Sequence, residues 1–259
     1  MNKKISIKIL FYLLLCVQSA CVKREKVYIA KEGEVVTWKQ NNYLIVKAKL
    51  GKRRKHIINK NCNRCERESY QPEHEHYLGQ FPIDYSPEKF SLLSESEVSQ
   101  LPFPYSNHQL EFNLILKDYS FEVTDTPIYS EKALDDINQV KVSINNLDSN
   151  GFTTKNGYES KLKNKNYDKE MFVKYGLYCF YTKDLGLGCF GESKNKSISG
   201  LSFTFMNNNK VMVQSWESVY GGINVQWIVD QKNLNHWREI DAAIWRLLEV
   251  WNVTPLKLK

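Results

Sequence analysis

The 259-residue sequence predicts an α+β protein: an antiparallel β-sheet with a C-terminal amphipathic helix packed on one face. Three observations predict it. Five strand-like runs, Tyr175–Tyr181, Leu187–Phe190, Gly200–Met206, Lys210–Trp216 and Ile223–Val229, follow one another with turn residues between them. The last run puts Ile223, Val225, Trp227 and Val229 on one side of an extended chain. The period then changes: Leu234, Trp237, Ile240, Ile244, Leu247, Leu248 and Trp251 recur at helical spacing over 234–251. An apolar stripe and an apolar sheet face bury each other most simply by stacking.

The elements follow in chain order. Lys3, Lys4 and Lys8 precede a nine-residue apolar run, Ile9 to Val17, and Gln18-Ser19-Ala20 lead to Cys21. A membrane-spanning helix needs about 20 apolar residues. The run is too short, and its flanks fit a cleavable signal peptide over residues 1–20. Ser19-Ala20-Cys21 resembles a bacterial lipobox, departing from it at Gln18, where that family prefers an aliphatic residue. The resemblance implies lipidation of Cys21, and Val22 after it implies sorting to the outer membrane, facing the periplasm. Anchoring through buried acyl chains is worth roughly 0.8 kcal/mol per CH₂.

The mature chain divides into an N-terminal β-rich region, 21–150, and a C-terminal region, 151–259. Glu34–Lys39 and Tyr43–Leu50 flank Gln40-Asn41-Asn42 and read as a hairpin. Residues 51–107 are polar and proline-punctuated; they read as loop-rich, with a short helix at Ser94–Gln100. Gln109–Lys117 alternates as a half-buried strand, with Tyr119–Thr124 a candidate to pair with it. Ser130–Ile137 reads as a short helix capped by Ser130. Residues 145–169, rich in Asn, Lys, Asp and Gly, read as a boundary or long loop. Gly186-Leu-Gly188 reads as a hairpin turn, and Gly221-Gly222 as a bulge or tight turn. Asn233 is the expected N-cap of the last helix, and Pro255 stops any continuation.

Charge and cysteine usage narrow the function classes. The formal charge is +7 and falls to +4 when the three lysines of the signal are removed, too modest for a dedicated nucleic-acid binder. The basic run Lys52–Lys55 reads as a solvated loop, with anionic headgroups or an acidic partner as the alternative. Four cysteines remain besides Cys16 and Cys21: Cys62, Cys65, Cys179 and Cys189. Outside the cytosol an even count reads as disulfides. Three connectivities exist, and nearness in sequence favours Cys62–Cys65 and Cys179–Cys189. Cys62 and Cys65 with His74 and His76 also offer a tetrahedral zinc set, but the spacing fits no common finger and an export signal disfavours free thiolates. No metal or other cofactor is therefore expected, and the two histidines read as residues of an exposed loop.

Sequence patterns for catalysis are absent: there is no Gly-x-Ser-x-Gly elbow, no His-Glu-x-x-His and no phosphate loop. Asp135 and Asp136 are adjacent and point about 100° apart on a helix, a poor catalytic dyad. A non-enzyme is expected. Trp237 and Trp251 belong to the helix stripe, whereas Trp245 lies off it and is expected to be partly exposed.

The stretch Gly200–Trp251 carries Gly200–Phe205 (GLSFTF), Tyr220-Gly-Gly and Leu234–Trp245 (LNHWREIDAAIW). It is similar to the C-terminal part of small periplasmic lipoproteins that act as type VI secretion immunity proteins, nearest to those directed against phospholipase-type toxins. That resemblance implies a protein partner, the cognate toxin, with the membrane engaged through the lipid anchor and no nucleic acid. No residue-level binding site carries over. The alternative is a structural or assembly lipoprotein of the envelope.

Overall fold

Ten strands form two sheets in the computed structural model, which describes residues 30–52, 76–103, 109–116, 137–147, 153–164, 166–182 and 186–255. The small sheet is the expected hairpin, β1 (Val35–Lys39) and β2 (Ile45–Lys49), antiparallel. The large sheet contains β3 (His76–Pro82), β4 (Leu110–Ile115), β5 (Gln139–Asn146), β6 (Tyr178–Thr182), β7 (Gly186–Gly191), β8 (Leu201–Phe205), β9 (Lys210–Glu217) and β10 (Ile223–Asp230). Their order across the sheet is β3-β4-β5-β10-β9-β8-β7-β6. Every neighbouring pair is antiparallel except β3 with β4. Strands from either side of position 150 thus meet where β5 pairs with β10.

The two faces differ as the alternation dictates. On one face Phe112, Val142, Trp227, Val213 and Phe203 stand in register across five strands, all buried. The C-terminal helix, α4 (Trp237–Trp251), covers this face with Trp237, Ile240, Ile244, Leu247, Leu248 and Trp251. Edge-to-face rings lock the contact: Phe203 meets Trp237 at 5.4 Å and Trp227 at 6.3 Å, and Trp251 meets Phe112 at 5.2 Å. Each fully buried side chain of this size contributes about 1.5–3 kcal/mol. Cys179 and Cys189 lie opposite each other on β6 and β7 and form a disulfide.

The other face is polar except on β6 and β7, where Phe180 and Phe190 are buried against Tyr158. Gln214 Nε2 donates to Gln226 Oε1, Asn113 Nδ2 donates to the Tyr77 hydroxyl, and Lys141 pairs with Glu111. Helix α2 (Thr154–Asn164) sits here: Trp216 N donates to Thr154 Oγ1, and the Tyr158 and Ser202 hydroxyls are 2.9 Å apart. The sequence reading of 145–169 as loop is therefore corrected, because these contacts hold a helix with hardly any apolar stripe. A second helix, α3 (Lys169–Tyr175), is capped by Asp168, whose carboxylate accepts from the backbone of Glu170 and Met171. It occupies the start of the expected strand Tyr175–Tyr181, so β6 begins only at Tyr178.

Three further expectations are revised. Gly186-Leu-Gly188 is not a turn; it opens β7. Within the supposed loop region 51–107, β3 forms a strand parallel to β4. Gly79 has φ +116°, and a Cβ there would lie 2.7 Å from the Gly51 carbonyl, so the backbone of 51–52 can bridge to Leu78 and Gln80. Finally, the last helix starts late: Gln231–His236 is a 3₁₀ turn capped by Asp230, and Asn233 instead donates to the Ile137 carbonyl. The expected elements Tyr119–Thr124 and Ser130–Ile137 lie, all but Ile137, outside the described residues.

The expected helix at Ser94–Gln100 is present as α1 (Glu95–Gln100), and it starts with a capping box. Glu97 N donates to Ser94 Oγ, and Ser94 N donates to Glu97 Oε2. At the other end Lys39 of β1 donates to the Val98 and Leu101 carbonyls, and its ammonium lies 4.0 Å from the centre of the Phe103 ring. Ser94→Ala is expected to lower stability by about 1 kcal/mol, read from the urea midpoint, because the cap is lost while Val98 stays packed.

Candidate functional site

The strongest candidate is a cleft of about 490 Å³ where four chain segments converge at one end of α4. Tyr43 comes from the β1–β2 turn, Ile198 and Ser197 from the β7–β8 connection, Tyr220 from the β9–β10 connection, and Trp245 and Glu249 from α4.

Each wall has a local cause. In the β1–β2 turn Asn41 Oδ1 accepts from the backbone of both Tyr43 and Leu44, an Asx turn. Asn252, just past α4, donates to the Tyr43 carbonyl and accepts from Ile45 N, tying the hairpin to the helix end. Opposite, Tyr220 has φ +52° and Gly221 has φ +79°. A Cβ on Gly221 would come within 2.5 Å of Tyr43 Cδ2, so this ring lies directly on the glycine backbone. The expectation of a tight turn at Gly221-Gly222 is met, and its consequence is the seat for Tyr43. A left-handed tyrosine is uncommon, and such outliers concentrate at sites of function.

Two buried carboxylates brace the β7–β8 connection from below. Asp241 of α4 accepts from Ser193 Oγ at 2.6 Å and from Trp245 Nε1 at 2.8 Å. Glu217, at the end of β9, accepts from Ser215 Oγ, Ser199 Oγ and Ser199 N. Ser193 and Ser199 bracket the residues that line the cleft, so the two acids hold both ends of that wall. Burial pushes the Asp241 carboxyl up to about 6; the bonds from Ser193 and Trp245 oppose the rise and the neighbouring Glu217 charge adds to it. Burial also raises Glu217, against the same kind of hydrogen bonds from Ser215, Ser199 and Gly200. The Tyr220 hydroxyl is raised, first by burial and then by Glu249.

Trp245 is not partly exposed as expected; it is buried, because Asp241 one turn earlier fixes its indole N–H beneath the 193–199 segment. A second, open cleft of about 520 Å³ lies by α2 and includes Lys155, Lys163, Tyr167, Tyr178 and Glu192. Its charges are of both signs, and it lacks bracing by buried acids.

The residues singled out by sequence fare differently. Cys179 and Cys189 form the favoured disulfide. Cys21, Cys62, Cys65 and His74 lie outside the described residues, and His76 supplies the first backbone position of β3. Among the described residues no group of three or more His, Cys, Asp or Glu side chains is arranged to hold a metal. No described helix is long and apolar enough to cross a membrane. Sequence reasoning missed Tyr43, Tyr220 and Glu217. Glu217 carried a signal, since it shares the inward parity of Val211, Val213 and Ser215 on β9.

The fold and cleft define an α+β protein with a tyrosine- and tryptophan-walled recess at a helix end. No protein-family model, curated protein or solved structure matches the chain.

Proposed function

We propose that the chain is a lipoprotein anchored at Cys21, facing the periplasm from the outer membrane, that neutralises a secreted antibacterial toxin by binding it. The observation that carries the reading is the N-terminal pattern: three lysines, the apolar run Ile9–Val17 and Ser19-Ala20-Cys21. The buried Cys179–Cys189 disulfide fits an oxidising compartment. A recess lined by Tyr43 and Tyr220 supports action by binding, since tyrosine is among the usual anchor residues of protein interfaces. The protein acts without catalysis, as a plug on the toxin, of the type directed against secreted phospholipases.

The test is protection. A sensitive strain expressing the full chain is challenged with the toxin encoded beside its gene, and palmitate labelling is followed in parallel. The chain is expected to protect and to carry label, and Cys21→Ala is expected to lose both. Survival no better than with empty vector removes the immunity reading. An unlabelled, cytosolic Met1 form removes the anchor. A deletion strain with envelope defects in the absence of any toxin favours an assembly role instead.

A further inference from the structure

We propose that the cleft between Tyr43, Tyr220 and Glu249 is a receptacle for a cationic side chain, an arginine or lysine presented by the protein partner. The proposal rests on the toxin-binding reading for the identity of that partner, and on the chain's own geometry for the charge.

Four observations point to a cation. First, the ionisable side chains that line the cleft are Glu249 and two tyrosines, with no lysine, arginine or histidine among them. This occurs in a chain whose net charge is +7, or +4 once the three lysines of residues 1–20 are removed, so the local sign is opposite to the background. Second, the cleft lies at the C-terminal end of α4, where backbone carbonyls concentrate negative potential. Helices usually place a base there; the last turn of α4 carries none and places Glu249 there instead. That arrangement costs stability unless an outside cation offsets it. The closest helical base, Arg246, is committed to the Ile83 carbonyl at 3.0 Å. Third, Tyr43 and Tyr220 line the cleft, and tyrosine rings attract ammonium and guanidinium groups, most strongly when water is displaced. Fourth, Asp241 and Glu217 lie behind the wall and add negative potential from the protein side. Lys194 and Lys196 alternate along the wall segment with the lining residues Asn195 and Ser197, and both are exposed to solvent.

The dimensions agree. A recess of about 490 Å³ exceeds one arginine side chain and accommodates it with part of its own backbone. Asn195, exposed beside the cleft, supplies a side-chain amide that can bond such a backbone.

The experiment titrates the full chain in detergent micelles with N-acetyl-arginine methylamide. The neutral near-isostere N-acetyl-citrulline methylamide and N-acetyl-lysine methylamide are run beside it. The Trp245 indole N–H, assigned by Trp245→Phe, is followed by NMR. The arginine probe is expected to shift this signal and to bind at least 10-fold more tightly than citrulline. Glu249→Gln is expected to weaken it about 5- to 10-fold, and Tyr43→Leu by a similar factor. Both residues are surface-facing, and an unchanged melting temperature verifies the fold of each variant. Equal binding of citrulline, indifference to Glu249→Gln, or no saturable shift with either cation overturns the proposal. Protection by the full chain that persists undiminished in Glu249→Gln sinks the cation site and leaves the immunity reading standing. Charge-selective probe binding without protection does the reverse.

Discussion

Trp251→Ala is expected to destabilise the protein by about 3–5 kcal/mol, the range for deleting a fully buried tryptophan. Trp251 closes the last turn of α4 and fits between Phe112 of β4, edge-on at 5.2 Å, and Phe81 of β3, also at 5.2 Å. Removing the indole forfeits its transfer free energy and leaves a cavity walled by two rings that β-strand pairing holds in place. The sheet cannot close the gap, because Phe112 is in register with Val142 and through it with Trp227. Domains are usually stable by about 5–15 kcal/mol, so this loss removes a large fraction of the total. Chemical denaturation reads it directly, and the melting temperature is expected to fall by roughly 6–20 °C. A loss under about 1 kcal/mol would mean that α4 does not hold the β3–β4 side of the sheet. Trp251→Phe should recover most of the deficit, since it restores a ring against Phe112.

The contact that Trp251 makes was legible in the sequence only from one side. The α4 stripe and the strands β8 to β10 could be read because one face of each is buried by a continuous partner, which forces a clean period. The partner strand β3 could not. Its alternation is broken by a register shift between Tyr77 and Gln80, and Gly79 sits in a left-handed conformation that only the approach of Gly51 explains. Helix α2 was hidden for a different reason. It is held on the sheet through Thr154 and through Tyr158, whose ring also meets Phe190, so its sequence shows turn-forming residues where a stripe would be expected. The site was less legible still. Tyr43, Tyr220 and Glu249 are separated by up to about 200 residues and brought together by the Asn252 contacts and the Gly221 seat. By helical period Asp241 lies at one side of the apolar stripe of α4, next to Trp237 and Leu248, where a polar residue ordinarily marks the edge of the buried face. The 193–199 segment folds over that side and buries it, a tertiary event with no local signature.

That burial has a pH signature, carried by Asp241. Its carboxyl titrates near 6 in the folded chain and near 3.8 when exposed. The folded state therefore holds this proton more tightly than the unfolded state, and stability rises as pH falls across the interval. The contribution is fully present below about pH 3.8 and is lost as pH rises through about 6. At about 1.4 kcal/mol per pH unit, the burden of the ionised group near neutrality is about 3 kcal/mol. Glu217 is shifted in the same direction and by the same cause, so the two acids act together. Asp241→Asn removes the charge and keeps an oxygen to accept from Trp245 Nε1, while its amide can donate to Ser193 Oγ. The variant is expected to gain up to about 3 kcal/mol at pH 7.5 and to gain nothing at pH 4. Denaturation of wild type and variant over pH 4 to 8 checks this, with the difference expected to open between pH 4 and 6. Asp241→Ala should behave oppositely at pH 4, losing about 1–3 kcal/mol, because the indole and hydroxyl donors are left buried without an acceptor. A constant difference between wild type and Asp241→Asn across the whole range would show that Asp241 is not desolvated, and with it that the 193–199 segment does not close over α4 as described.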